Sequence, residues 1–357
     1  MDNTISTIDR SWQLENCSFI KAMLMLFVIL DHSNAVFTGQ WFTNLVNESV
    51  ILGYVSKYLG HFHVYAFTLV SGYIFCYLRF ENKHYNDKKA FIVNKIKRLI
   101  VPYVIVAAFW VVPWYIYYYE VSALEIIKKF VLASSPSQLW FLWMLFWVFI
   151  IAIILPDMVY DNDYHILGIS LILFAFGSLG IIPSFFQISR SFQFFIYFSI
   201  GIIVRKHLGK TRLNKIGVGG YLTLDLILFI ASVALDSFSG MFFKVLGSAV
   251  QLLLHCVGSI AAFYVLDKIA NTFNWKENKA ISLICKYNFT IYLFHQQLIY
   301  ITITWFNGKV PNILLVVINF SFSLIVSFLI AIVVDKAKMQ ITRHDIVSGT
   351  RRFVSII

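Results

Sequence analysis

The stretch FIKAMLMLFVILDHSNAVF, residues 19–37, decides the fold. An apolar run of this length reads as a membrane-spanning helix, because about 20 residues at about 1.5 Å rise cross a hydrocarbon core of about 30 Å. Lys21 stands at one end of the run, and the pair Asp31-His32 lies deep within it. Ionisable groups are costly inside a span, so they mark candidates for function. Lys21 and His32 are about three helical turns apart, so they share one helix face with roughly 16 Å between them along the axis. A cation at one depth with an imidazole above it suggests a bound molecule running between them. The competing reading is a lysine that only snorkels to the interface.

The rest of the chain repeats this pattern. Its 357 residues are 59% hydrophobic and 13% charged, with a mean hydropathy of +0.75. Soluble domains carry about 25% charged residues, so the composition points to an all-α, polytopic membrane protein. Ten apolar segments are expected, near 19–37, 60–78, 99–119, 139–156, 165–183, 191–204, 218–236, 244–267, 281–302 and 311–334. The stretch Val50–Leu59 reads as a re-entrant or interfacial piece. Segment 1–18 is then a cytoplasmic lead, 19–334 the transmembrane domain and 335–357 a basic cytoplasmic tail. Residues 1–17 are polar, and no cleavable signal peptide is expected.

Most of the 29 Lys and Arg residues fall in alternate loops: Arg79–Arg98, Arg205–Lys215, Lys268–Lys286 and the tail. The positive-inside rule places those loops, and both termini, in the cytoplasm. The net charge of +11 is thus largely topological; anionic lipid is a natural contact and nucleic acid a poor one. The four cysteines show no metal-binding spacing and read as small apolar packers. No metal is expected. The run YIYYYE, Tyr115–Glu120, reads as an interfacial aromatic belt rather than a sugar platform.

On this topology, polar residues converge in the outer half. GHFHVYAFTLVSGYIF puts His61 and His63 near the outer end of the second helix, with Ser71 further along. SSPSQLWFLWMLFW puts Gln138 and Trp140 at the mouth of the fourth, and YNFTIYLFHQQL puts His295, Gln296 and Gln297 high on the ninth. A lone intramembrane histidine is more often a packing residue, but His32, His63 and His295 at similar depth read as one site. His255, mid-helix, reads as structural. Asp31 neighbours His32 in sequence, yet neighbours point about 100° apart on a helix, so it is free to pair with another helix. Ser71 reads as a nucleophile or, more readily, as a packing contact beside Gly72.

The cytoplasmic end carries NKIKRLIVPY, with Lys95, Lys97 and Arg98 at the entrance of a helix that starts near Pro102. Such a cluster suits phosphates through charge and bidentate arginine contacts, and it equally suits a topogenic role. A phosphorylated donor held there, with its reactive end reaching a far histidine, fits coenzyme A. A neutral imidazole with a pKa near 6.5 can take the proton of an acceptor hydroxyl.

At this point the residues resemble the acyltransferase-3 family of integral membrane acyltransferases. Lys21 and His32 are similar to that family's Arg/Lys-x10-His motif. FHVYAFTLVSGYIF resembles its second-helix pattern through His63, Phe67, Ser71, Gly72 and Tyr73, with Val64-Tyr65 in place of Met-Pro. KIKRLIVPY resembles its basic helix entrance, with Lys95 and Arg98 in the two basic places; LWFL at Leu139–Leu142 and IYLFHQ at Ile291–Gln296 match later signatures. The resemblance implies an acetyl-CoA or other acyl-CoA donor and a glycan hydroxyl as acceptor. It also implies His32 as the essential residue, as general base or acyl relay, and a bacterial inner membrane. Two other readings compete: a transporter or glycan exporter with histidine as proton relay, and a structural subunit of a polysaccharide synthesis complex.

Overall fold

Eleven main helices follow from the apolar runs and from the residues that punctuate them. The computed structural model describes residues 2–39, 41, 43, 45–207 and 213–347. No strand occurs among the described residues, and the expected basic tail lies outside them from residue 348 on. The helices are α1 (Asp2–Asn34), α2 (Val50–Gly60), α3 (His63–Cys76), α4 (Lys88–Tyr118), α5 (Trp140–Ile154), α6 (Asp163–Ser178), α7 (Ile188–His207), α8 (Gly217–Leu235), α9 (Met241–Thr272), α10 (Lys279–Phe306) and α11 (Asn312–Val347). Each of the ten expected apolar segments falls on one of them. Among the described residues, seven helical stretches are long and apolar enough to cross a membrane. The chain is an all-α polytopic membrane protein.

Local chemistry sets several ends. Asp87 accepts hydrogen bonds from the backbone N–H groups of Lys89 and Ala90 and so starts α4. Asn162 does the same for α6 and Asn278 for α10. Inside α4, widened turns at Ile96–Ile100 and Ala107–Val111 precede Pro102 and Pro113. A proline removes an N–H from the helical ladder, and such turns absorb the misfit.

The chain divides into two units. The first holds Met1–Asn34, Val50–Lys83 and Tyr197–Lys286, and therefore α1, α2, α3, the later part of α7, α8 and α9. Within it α8 runs along α9, and α1 packs on α2, α3 and α9. Ile20, Leu24, Leu69, Val70 and Tyr73 are buried at its centre. A Cβ at Gly72 would lie 1.9 Å from the Phe198 carbonyl oxygen, and one at Gly201 would lie 1.9 Å from that of Leu69. Glycine at both positions is what lets the backbones of α3 and α7 touch. At the end of this crossing Arg205, 6% exposed, grips Glu81 through Nε at 2.7 Å and Nη2 at 2.8 Å and donates to the Tyr73 hydroxyl.

The second unit holds Ala35–Ser49, His84–Ile196 and Tyr287–Ile357. Its connections are tied by side chains to backbone. Tyr103 donates to the Phe130 carbonyl, and the Gln187 amide donates to the carbonyls of Ala133 and Ser134.

The second span differs from its expected form. It is not a helix that begins near residue 60: the helical stretch runs Val50–Glu81, 32 residues, with a break at His61-Phe62. Val50–Leu59, read from sequence as a separate interfacial piece, is the first part of this span. The histidine pair therefore lies about 16 Å along the helical stretch from Val50. The polar residues Ser56, Lys57, His61 and His63 interrupt the apolar pattern and hide the continuity from a hydropathy reading.

Candidate functional site

The break between α2 and α3 brings polar residues against α1. Asp31 has both carboxylate oxygens engaged: Oδ1 accepts from the Ser56 hydroxyl at 2.5 Å, and Oδ2 accepts from His63 Nε2 at 2.9 Å. A carboxylate only accepts, so the His63 proton facing Asp31 is on Nε2, and in the neutral ring Nδ1 is then the nitrogen with the lone pair. That Nδ1 is buried and has no hydrogen-bond partner, while the residue is 3% exposed. His61 Nδ1 is likewise buried without a hydrogen-bond partner. His32 lies within electrostatic reach of both Asp31 and His63. Lys21 and His32 are both half-buried on α1.

Ser71, a candidate from its place beside Gly72, donates its hydroxyl to the Phe67 carbonyl one turn back at 2.9 Å. That bond satisfies the hydroxyl within its own helix.

A second histidine–carboxylate pair occupies the same unit. His61 Nε2 lies 2.8 Å from Asp225 Oδ1, and the Tyr58 hydroxyl donates to Asp225 Oδ2 at 2.9 Å. His255 Nδ1 lies 2.8 Å from the His61 carbonyl oxygen, and its ring stacks on Tyr65 at 3.9 Å between centroids. Asp225, 2% exposed, was not among the sequence candidates. Its signal was present: it is the only acid in the apolar run Tyr221–Leu235.

The other candidates belong to the second unit. Gln138 and Gln297 exchange amide hydrogen bonds at 2.8 and 3.1 Å, and Gln138 Nε2 also donates to the Leu293 carbonyl. Tyr292 donates to the Gln138 carbonyl. His295, fully buried, has Nδ1 at 2.7 Å from the Tyr292 carbonyl oxygen, and Gln296 donates to the Tyr300 hydroxyl. Trp140 packs on Phe194, with the Arg190 guanidinium 4.6 Å over its ring. The structure thus joins Gln138, Gln297 and the His295 turn in one knot. His32 and His63 of the expected grouping belong to the first unit and His295 to the second.

At the start of α4 the Lys95 ammonium sits 3.5 Å from the centroid of Phe149 and 5.0 Å from that of Phe91. Lys97 is half-buried and Arg98 exposed. Arg98 faces Tyr85, in the loop before α4; burial raises the Tyr85 phenol, and the guanidinium partly offsets that rise. Among the described residues no group of three or more His, Cys, Asp or Glu is placed to hold a metal ion.

A family model described as an acyltransferase domain matches residues 16–332. No curated protein and no solved structure matches the chain.

Proposed function

Because the chain belongs to the acyltransferase-3 family and is a membrane acyltransferase, we propose that it moves an acyl group, in the first instance acetyl, from cytoplasmic acyl-CoA to a glycan hydroxyl. The acceptor is an envelope polysaccharide or its lipid-linked precursor, and the membrane is the bacterial inner membrane. The observation that carries the chemistry is the Asp31–His63 pair, with its buried, unmatched Nδ1.

His63 takes the acceptor's hydroxyl proton at Nδ1 while the oxygen attacks the thioester carbonyl. The C–S bond breaks, and the departing thiolate receives the same proton, so the transfer needs no net acid or base. Asp31 keeps the imidazole in the tautomer this requires and offsets the charge that develops on it. His32, expected from sequence as base or acyl relay, shares the stripe of Lys21 and takes a different part. Its ring N–H serves the thioester carbonyl oxygen, where negative charge grows. Lys21 meets the donor lower on the same face, and Lys95, Lys97 and Arg98 bind its phosphates. Gln138, Trp140 and Gln296 contact the acceptor.

Purified protein, assayed for acyl-CoA consumption with and without glycan acceptor, tests this reading. General-base catalysis contributes typically 10² to 10⁴-fold, and His63→Gln and His32→Ala should each lose at least the lower figure while inserting normally. Wild-type turnover in His63→Gln removes the base assignment, and no acyl transfer by the wild type to any envelope glycan removes the acceptor class.

A further inference from the structure

Ser56 and Tyr58 are two residues apart on α2, about 200° round the helix, so their hydroxyls leave it on opposite faces. Ser56 reaches Asp31 of α1 and Tyr58 reaches Asp225 of α8. Across the helix break the order reverses: His61 returns to Asp225 and His63 returns to Asp31. Two carboxylates on different helices, Asp225 buried and Asp31 partly buried, therefore hold the same eight-residue segment, Ser56–His63, from two sides. Each grips it once before the break and once at or after it.

The break itself needs such support. Interrupting a helix inside a span frees backbone groups that the bilayer cannot satisfy. Here the His61 carbonyl is met by His255 of α9, and the Phe62 carbonyl takes the Ala66 N–H at 2.8 Å. Room for the pair comes from α9 as well. A Cβ at Gly258 would lie 2.8 Å from both Asp225 Oδ1 and His61 Nε2.

We propose that Asp225 is a positioning residue for acyl transfer: by fixing His61 and Tyr58 it sets the Gly60–His63 turn, and so aims His63 at Asp31 and the acceptor hydroxyl. The inference rests on His63 being the base. Asp225 touches neither reactant, and its effect passes through the two-residue step from His61 to His63. His61 serves by its Nε2–H, not by its Nδ1.

Steady-state kinetics of the full-length protein in nanodiscs, with acyl-CoA varied at saturating acceptor, tests this. An amide nitrogen cannot accept, so Asp225→Asn leaves either Tyr58 or His61 without its acceptor. It should lower kcat on the order of 10²-fold, the usual scale for a misplacement near 1 Å, with KM for acyl-CoA within about twofold. Gly258→Ala, which crowds the pair from α9, should show the same split. His61→Gln, which keeps an N–H at similar reach, should recover most of the kcat that His61→Ala loses. In a His63→Gln background Asp225→Asn should add little, because both act at one group. Should Asp225→Asn fold poorly, Tyr58→Phe removes a single grip and should lower kcat several-fold. The proposal is overturned by wild-type kcat in Asp225→Asn or Tyr58→Phe, by losses that multiply in the double variant, or by a His61→Gln no better than His61→Ala. Failure of the base reading is separate, since it appears as retained turnover in His63→Gln alone.

Discussion

Asp31 Oδ2 lies 2.9 Å from His63 Nε2, across 32 positions of sequence and between two different helices. The carboxylate next to His32 in the chain is thus committed to the histidine of another span. This follows from helix geometry: side chains at adjacent positions diverge by about 100°, and when one faces a ligand stripe the other faces a neighbouring helix. A sequence reading can therefore find an Asp-His pair without finding the dyad, which needs the partner helix.

The first prediction concerns that carboxylate. In Asp31→Asn one of the two donors, Ser56 or His63, meets an amide nitrogen instead of an oxygen. The imidazole is then free to turn over its tautomer and present N–H where the reaction needs a lone pair. Turnover should fall by at least about 10²-fold with donor KM little changed, measured as thiol release from acyl-CoA. Equal activity in Asp31→Asn and wild type would show that His63 needs no orienting charge.

How far the sequence is legible depends on whether a signal is local. Each apolar run falls on a helix, and six of the ten agree with their helix to within about five residues at both ends, while α1, α4 and α11 run more than ten residues past the apolar stretch into polar sequence. The second span was misjudged because Ser56, Lys57, His61 and His63 interrupt its apolar pattern, although the backbone stays helical up to the break. Lys21, Asp31, His32 and His63 stand out in the sequence because charge within a span is costly, whereas the Asp31–His63 contact depends on which helices pack. Asp225 bears the same mark, as the single acid of the apolar run Tyr221–Leu235, but its histidine partner lies on another helix. Arg205 was counted only as a topological charge, whereas its guanidinium closes on Glu81 and Tyr73. Pairings such as these are set by which helices pack, and one chain's periodicity carries no such information.

The second prediction separates a binding role from a topological one at the start of α4. Lys95 is held over Phe149 and Phe91, which fixes the ammonium beside Arg98's stretch of helix. Charge-assisted contacts contribute about 1.5–3 kcal/mol each, and about 1.4 kcal/mol corresponds to tenfold in affinity. Replacing both Lys95 and Arg98 with Gln should raise KM for acyl-CoA at least about tenfold and leave that for the acceptor near wild type. Unchanged donor affinity, with membrane topology intact, would reduce the cluster to a positive-inside signal.

The third prediction is about assembly. Gly72→Ala places a methyl 1.9 Å from the Phe198 carbonyl oxygen, a contact no side-chain adjustment relieves because both partners are backbone. Overpacking of this kind costs roughly 3 kcal/mol or more. The variant should show a lower melting midpoint by detergent-solubilised fluorescence size exclusion and a smaller folded yield. Gly168→Ala, where nothing lies within 4 Å of the added carbon, serves as the neutral control. If the two variants melt alike, the α3–α7 crossing is looser than drawn.

The fourth prediction fixes the sidedness on which the donor assignment stands. Lys83 and Lys128 are both exposed and flank the single helical stretch Lys88–Tyr118, so one span separates them. By the positive-inside rule the basic run Arg79–Arg98 predicts that the Lys83 side is cytoplasmic, the side from which the proposed acyl-CoA donor would enter. In intact cells a cysteine at Lys128 should react with a membrane-impermeant thiol reagent, and one at Lys83 should react only after permeabilisation. The background needs its own thiols removed; Cys17, Cys76 and Cys285 are buried and Cys256 is half-buried, so small replacements are the conservative choice. Reaction at Lys83 but not at Lys128 would put Lys95 and Arg98 on the far side from the coenzyme A pool, and the phosphate-binding role would fall with it.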